Sequence, residues 1–315
     1  MRPWVTGDTG GPRRRPTMPR RFAGGMILVC LAALGLDAAV EAQTGTDGGE
    51  WRAYGADLAS TKYSPLDQID AANFGQLRLV WHWNLPELSL DLDAIRRQVP
   101  EVQFRMFQAT PLMVGGVLYL STPLHIVAAV DAGTGETRWL HDPQAYLKVR
   151  PTHFYNSRGV AYWADGDDRR IFFGNSEAYL LALDADTGQP IATFGDNGRA
   201  DLMAGIPRAD RRQQTHRGDH LMGVASPPLV ANGVVVTPTV ISDGPITREA
   251  PPGWVKGIDA RTGATKWVFR TVPQADDFGA DTWLNESWRY SGNSNVWSPI
   301  SADEELGIVY LPTGT

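Results

Sequence analysis

Asp131-Ala132-Gly133-Thr134-Gly135, Asp184-Ala185-Asp186-Thr187-Gly188 and Asp259-Ala260-Arg261-Thr262-Gly263 are three copies of one turn. In such a turn the Asp carboxylate bonds the backbone that follows it, and the last Gly supplies a positive φ. Each copy follows a short apolar run: 126–130, 179–183 and 255–258. Two are followed, four residues past the last Gly, by an indole, Trp139 and Trp267, which reads as packing between sheets. Repetition on this scale marks an array or a propeller.

Working outward, a hairpin lies upstream of each turn. The runs 112–114 and 117–120 flank Gly115-Gly116, and 229–231 and 234–236 flank Asn232-Gly233. Both are two-residue hairpin turns between β-rich runs. In the second copy, 160–163 and 171–173 flank a longer polar loop. One unit therefore reads strand, turn, strand, loop, strand, D-A-x-T-G turn, strand. That is a four-stranded antiparallel blade, and such blades assemble radially. The units span 110–142, 160–196 and 227–270. A fourth begins at Trp297-Ser298-Pro299-Ile300, continues through 308–311, and meets Thr315 with two strands still owing. The expected class is all-β, a partial propeller cut short at its C-terminal side. The alternative is closure by the segment 51–83, in which 77–83 resembles a strand.

Composition agrees with this class. The chain has 315 residues, 43% apolar, with 33 Gly, 22 Pro and 11 Trp, which favour turns and aromatic-rich strands over long helices. Its formal charge of −6 gives no general attraction to nucleic acid. One Cys excludes an intramolecular disulfide and a Cys-based zinc site.

Residues 1–42 read as a disordered leader and a secretory signal. Met18 is a second candidate start, followed by Arg20-Arg21, an apolar run over 22–36, and Val40-Glu41-Ala42 as the cleavage motif. The run is short for a membrane span. Cleavage near Ala42-Gln43 would remove Cys30, six Arg and three acids. The remaining domain, 43–315, is then more acidic and Cys-free, so any metal would need oxygen or His ligands. An uncleaved anchor is the alternative.

In a blade of this kind the start of the first strand and the end of the second share one rim. Gln108, Arg158 and Trp297 stand at first-strand starts. After second strands come Asp243, which opens an insertion over 242–253, and Thr313-Gly314-Thr315. Concave, polar-lined mouths are where ligands bind. Each residue also has a plain structural reading. Arg158 could pair with Asp165 or Asp167, Trp297 could pack between blades, Asp243 could be a turn residue, and His153 could be a satisfied imidazole. Residues 84–107 show a helical pattern and read as a helix or lid, 276–290 as an inter-blade loop, and His216 and His220 as loop residues.

With these residues in hand, the chain resembles the pyrroloquinoline quinone (PQQ)-dependent dehydrogenases, nearest the membrane-associated glucose and polyol type. The resemblance runs from about Glu50 to Thr315. It is carried by Trp51-Arg52-Ala53-Tyr54-Gly55, Thr61-Lys62-Tyr63-Ser64-Pro65-Leu66, Gln108-Ala109-Thr110-Pro111-Leu112, Arg158-Gly159-Val160-Ala161-Tyr162-Trp163, Ser226-Pro227-Pro228-Leu229-Val230, Ile241-Ser242-Asp243 and Asn295-Val296-Trp297-Ser298-Pro299. It implies an eight-bladed propeller, of which about half is present, with the quinone at the channel mouth.

The resemblance also implies roles. Trp297 would floor the flat quinone. Arg158 would bond its carboxylates or carbonyl. Gln108 would hold a carboxylate, and His153 falls near the position of a Cys pair in the alcohol-oxidising branch. Asp243 would ligate Ca2+, with Thr315 at the place of an Asn ligand. Ala225 replaces a hydroxyl residue that contacts the cofactor in relatives. The implied reaction oxidises a sugar, polyol or alcohol hydroxyl, with Ca2+ as Lewis acid and a carboxylate base. The family's base lies in the blade after the last one here, so the chain alone is expected to be inactive. Electrons would pass to membrane ubiquinone or a cytochrome, which implies a periplasmic or secreted location, close to the inner membrane. A non-catalytic periplasmic scaffold shares such blades but has no use for a cation–aromatic–carboxylate set on one rim. A calcium-dependent sugar-binding module explains Asp243 but not the N-terminal signature.

Overall fold

The three repeated turns form as their chemistry dictates. Asp131 Oδ1 accepts from the amides of Gly133 and Thr134, both at 3.0 Å, and from Thr134 Oγ1 at 3.2 Å. Asp184 Oδ1 and Asp259 Oδ1 repeat the pattern with Thr187 and Thr262. The closing glycines have φ of +76°, +71° and +75°. Each donates its amide to the carbonyl of the first Asp, at 2.8 to 2.9 Å.

The computed structural model describes residues 46–100, 102, 107–150, 156–215, 222–242 and 249–314, all within one compact unit, Gln43–Thr315. Around the three turns stand three four-stranded antiparallel sheets. Blade one is Leu112–Val114, Val117–Ser121, Val127–Asp131 and Thr137–His141. Blade two is Ala161–Asp165, Asp168–Gly174, Tyr179–Asp184 and Arg199–Asp201. Blade three is Leu229–Ala231, Val234–Thr237, Val255–Asp259 and Thr265–Phe269. A fourth unit contributes one hairpin, Ser301–Asp303 with Ile308–Tyr310.

Blade two departs from expectation twice. Its first hairpin is tight, with Asp165 paired to Asp168 across Gly166-Asp167, so the polar residues extend the strands and form no long loop. Gly166 at φ +61° makes that turn possible. Its fourth strand falls at 199–201, past the expected limit of 196. The ladder place nearest the turn is taken by a lone bridge from Leu183 to Pro190. Proline lacks the N–H that a continuing strand would donate.

The sheets pack face to face, which explains the unbroken apolar runs of their inner strands. Ile171 and Phe173 face blade one, against Leu112, Val127 and Ala129. Phe172, between them, faces blade three with Val235 and Ile258. Blade three packs through Leu229, Val236 and Val255 against Val296, Ile300 and Ala302 of the fourth unit. Burying each such side chain contributes about 2 kcal/mol. The first strand of blade three touches the first strands of blade two and of the fourth unit, so first strands line the inside of the arc.

Two N-terminal stretches dress this arc. Trp51 exchanges both backbone bonds with Met113, at 2.9 Å each. From there 51–58 runs along the first strands until Leu58 O accepts from Ala302 N at 2.8 Å. The expected strand at 77–83 is irregular, so no fourth-unit strand comes from it. Trp81 instead docks on blade one, its Nε1 donating to Ala132 O at 3.2 Å and its ring against Gly135. The helical pattern of 84–107 is realised as a turn at Pro86–Ser89 and a helix at Leu92–Gln98, packed on Leu124, Ile126 and Tyr146. Among the described residues no helix is long and apolar enough to cross a membrane.

Candidate active site

Four residues hold equivalent stations, three or four positions ahead of the first strand of their unit: Gln108, Arg158, Ser226 and Trp297. Neighbouring stations are stitched together. Thr110 N donates to Arg158 O at 3.0 Å, and Arg158 N donates to Ala225 O at 2.9 Å. Ser226 Oγ donates to Trp297 O in a short bond. Gly159 sits at the crossing with φ +145°, where an added Cβ would stand 3.3 Å from Thr110 O. Antiparallel blades arranged around an axis thus bring residues distant in sequence to one rim.

Arg158 and Trp297 form the centre of this group. The guanidinium carbon lies 5.5 Å from the centroid of the indole, a cation–π distance. Arg158 Nη1 also donates to Ser226 Oγ at 3.3 Å. No carboxylate among the described residues forms an ion pair with it, and burial lowers its pKa, with the nearby Tyr54 phenol acting in the opposite sense. Asp165, one of its possible partners from sequence, pairs with Arg261 instead. Trp297 keeps 47% of its surface exposed, and Gly314 leaves no room for a side chain beside its ring nitrogen. A half-buried guanidinium with no counter-ion among the described residues, beside a half-exposed indole, is suited to a flat anionic ligand.

Gln108 lies at the neighbouring station. Its Oε1 accepts from Asn156 Nδ2 at 3.2 Å, which leaves the amide nitrogen as its available donor. Asn156 is buried, and its own Oδ1 has no hydrogen-bond partner among the described residues. Ser157, between Asn156 and Arg158 in sequence, shares a buried hydroxyl–hydroxyl bond of 2.6 Å with Ser121.

The structure therefore brings Gln108, Arg158 and Trp297 to one set of stations. His153, Asp243 and Thr315 lie outside the described residues, as do His216 and His220. Among the described residues no three His, Cys, Asp or Glu side chains cluster as a metal site. Ser226 and Asn156 carry contacts between stations; from sequence Ser226 appeared only within a stretch carrying the resemblance, with no site role, and Asn156 did not appear. The signal for Ser226 was positional, since it stands as far ahead of its strand as Arg158 does.

Comparison with known proteins identifies the architecture. Residues 51–315 match the family model described as PQQ: glucose/ethanol/alcohol dehydrogenase, β-propeller domain. A quinohemoprotein alcohol dehydrogenase, ADH IIB, of Pseudomonas putida is 31% identical over 94% of this chain and 39% of its own length. Quinoprotein glucose dehydrogenase A of Acinetobacter calcoaceticus is 28% identical over 87% of this chain and 34% of its own. The crystal structure of quinohemoprotein alcohol dehydrogenase from Comamonas testosteroni superposes with a TM-score of 0.62, at 25% identity, covering 86% of this chain and 36% of that one. The chain thus spans between a third and two-fifths of the length of these relatives. It belongs to the PQQ-dependent dehydrogenase β-propeller family. Alcohol, glucose and glycerol dehydrogenases match at comparable identity, so the comparisons single out no branch.

Proposed function

We infer that this chain supplies the cofactor-binding rim of a PQQ-dependent dehydrogenase that oxidises an alcohol, polyol or sugar hydroxyl. The observation that carries this reading is the Arg158 guanidinium, which forms no ion pair among the described residues, set 5.5 Å from the centroid of the half-exposed Trp297 ring and joined to that residue through Ser226. PQQ is flat and carries carboxylates, and that donor set suits it. Trp297 would offer the stacking face, Arg158 a planar fork for a carboxylate or carbonyl, and Gln108 an amide N–H for a second anionic oxygen. By resemblance to the family, His153 would approach the cofactor, and Asp243 with Thr315 would bind Ca2+ through oxygen. Bound there, PQQ with Ca2+ supplies the two-electron acceptor for the substrate's hydroxyl-bearing carbon. The chain's residues bind and orient, and none within 1–315 is assigned as the proton acceptor. We therefore expect no turnover from these 315 residues alone. Electrons would leave to membrane ubiquinone or a cytochrome, in a periplasmic or secreted setting near the inner membrane. Residues 1–42 would act as leader and signal for 43–315.

The test is thermal unfolding with and without PQQ and Ca2+. The wild-type chain should gain melting temperature with both present, because a ligand that binds only the folded state stabilises it by mass action. Trp297→Ala and Arg158→Ala should lose most of that gain. Equal behaviour of wild type and both variants would favour a non-catalytic scaffold.

A further inference from the structure

The stretch between blade two and blade three, 202–215, is firmly built yet supplies no residue to the rim described above. Gln214 bonds Met222 through both amide atoms, Oε1 accepting at 3.0 Å and Nε2 donating at 2.5 Å. Buried Lys256 donates to Ala204 O at 2.6 Å. Arg211 binds Glu177 O and the Asp201 carboxylate. Met203 and Ile206 pack on Met222, Ile241 and Trp254.

Arg208 reaches out from this anchored stretch. Its Nε donates to Ala250 O at 2.7 Å, its Nη1 to Arg289 O at 2.6 Å and its Nη2 to Ser291 O at 2.6 Å. Three carbonyls from two remote segments thus share one guanidinium. Arg208 adopts φ +61°, a conformation that costs a non-glycine residue about 1 kcal/mol or more, so the surrounding contacts must hold it there.

The two segments run side by side beyond the clasp. Ala250 N donates to Tyr290 O, Asn293 N to Pro251 O at 3.0 Å, and Gly253 N to Asn293 O at 2.7 Å. Their approach is so close that a Cβ on Gly253 would stand 2.6 Å from Asn295 Cα, and one on Gly292 would collide with Ala250 O. One segment is the downstream end of the insertion that Asp243 opens. The other ends two residues before Trp297. We propose that Arg208 is a positioning residue, a clasp that sets 249–253, the described downstream end of the insertion, against the Trp297 segment and so fixes the floor of the cofactor rim.

A planar fork with donors on three edges can satisfy three divergent carbonyls at once; a lysine ammonium, though it keeps the charge, lacks that fixed spread. The proposal rests on the cofactor-rim reading above, and the test separates the two. Hydrogen–deuterium exchange is measured on the 315-residue chain without ligand, and PQQ is titrated with Ca2+ present. The variants are Arg208→Lys, Arg208→Met and Trp297→Ala. Both Arg208 variants should speed exchange in 249–254 and in 289–296 together, leave blade one and blade two protected, and weaken PQQ about tenfold. Protection of 112–201 serves as the folding control, and Arg208→Lys stands in should Arg208→Met fail it. Unchanged exchange in either segment overturns the proposal. So does wild-type PQQ affinity in the Arg208 variants when Trp297→Ala has lost it. If Trp297→Ala binds PQQ as wild type does, the rim reading fails, and the clasp is judged on exchange alone.

Discussion

At the residue scale, Ser226 is the most exposed point of the rim's logic, because one hydroxyl serves two neighbours. It accepts from Arg158 and donates to the carbonyl of Trp297. Removing it leaves the guanidinium free to swing and the carbonyl short of a donor. A single net hydrogen bond contributes about 1 kcal/mol, so Ser226→Ala should weaken PQQ roughly fivefold in a fluorescence titration. Affinity equal to wild type would mean that Arg158 is held by other contacts. The rim was legible in sequence to the extent that strand starts could be recognised. Arg158 and Trp297 stood out because a cation and an indole are unusual there. Ser226 entered only as part of a stretch carrying the family resemblance, because a serine hydroxyl at a strand start does not stand out by its chemistry. Asn156 was hidden for another reason, since its contact to Gln108 depends on how two loops approach, which spacing along a chain does not encode.

At the element scale, the repeated turn is also a docking socket. The Trp139 ring of blade one lies on Gly188 of blade two, and its Nε1 donates to Ala185 O at 2.9 Å. Trp81 does the same on Gly135 of blade one. A substitution pair separates the two duties of such a glycine. Gly115 has φ +57° with open space around it, whereas Gly188 has φ +71° and a hypothetical Cβ 2.5 Å from Trp139 Cε3. Gly115→Ala should cost about 1 kcal/mol, the price of backbone strain alone. Gly188→Ala carries the same strain and must also displace an indole, so it should cost roughly 3 kcal/mol in chemical denaturation. Equal losses would show that docking contributes little. Trp139 and Trp267 looked alike in sequence, four residues past their turns. Only Trp139 is buried; Trp267 keeps 36% exposure and packs over Gly257 of its own blade. The difference arises because a socket belongs to the next blade, so a tryptophan's burial depends on what stands beyond it. Trp81 carries no preceding turn, and its docking was therefore invisible from the repeat.

At the scale of the whole molecule, stability depends on how one blade is joined to the next, and His125 marks the seam between blades one and two. It lies between the second and third strands of blade one, at φ +66°, almost fully buried. Burial pushes its pKa down to about 4, while the backbone of Asn156, just ahead of blade two, and of Gly174, in its second strand, acts the other way. An unfolded chain would titrate the same imidazole near 6.5. Between those values the unfolded state takes up a proton that the folded state refuses, so stability falls as pH drops through that interval. The contribution is fully present above about pH 6.5 and has gone by about pH 4, with a ceiling of about 3 kcal/mol. His141 is also depressed by burial and adds a slope of the same sign, so the informative quantity is a difference between proteins. His125→Asn removes the titration while keeping a side chain that tolerates positive φ. Melting temperature should fall less steeply from pH 6.5 to 4 in the variant than in wild type, and the two slopes should agree above pH 7. Parallel curves through the acid range would mean that the imidazole is not the group coupling these blades. A steeper wild-type curve would identify an acid-sensitive seam two residues from Arg158, where the Asn156 backbone passes directly into the rim of stations that holds Gln108, Arg158 and Trp297.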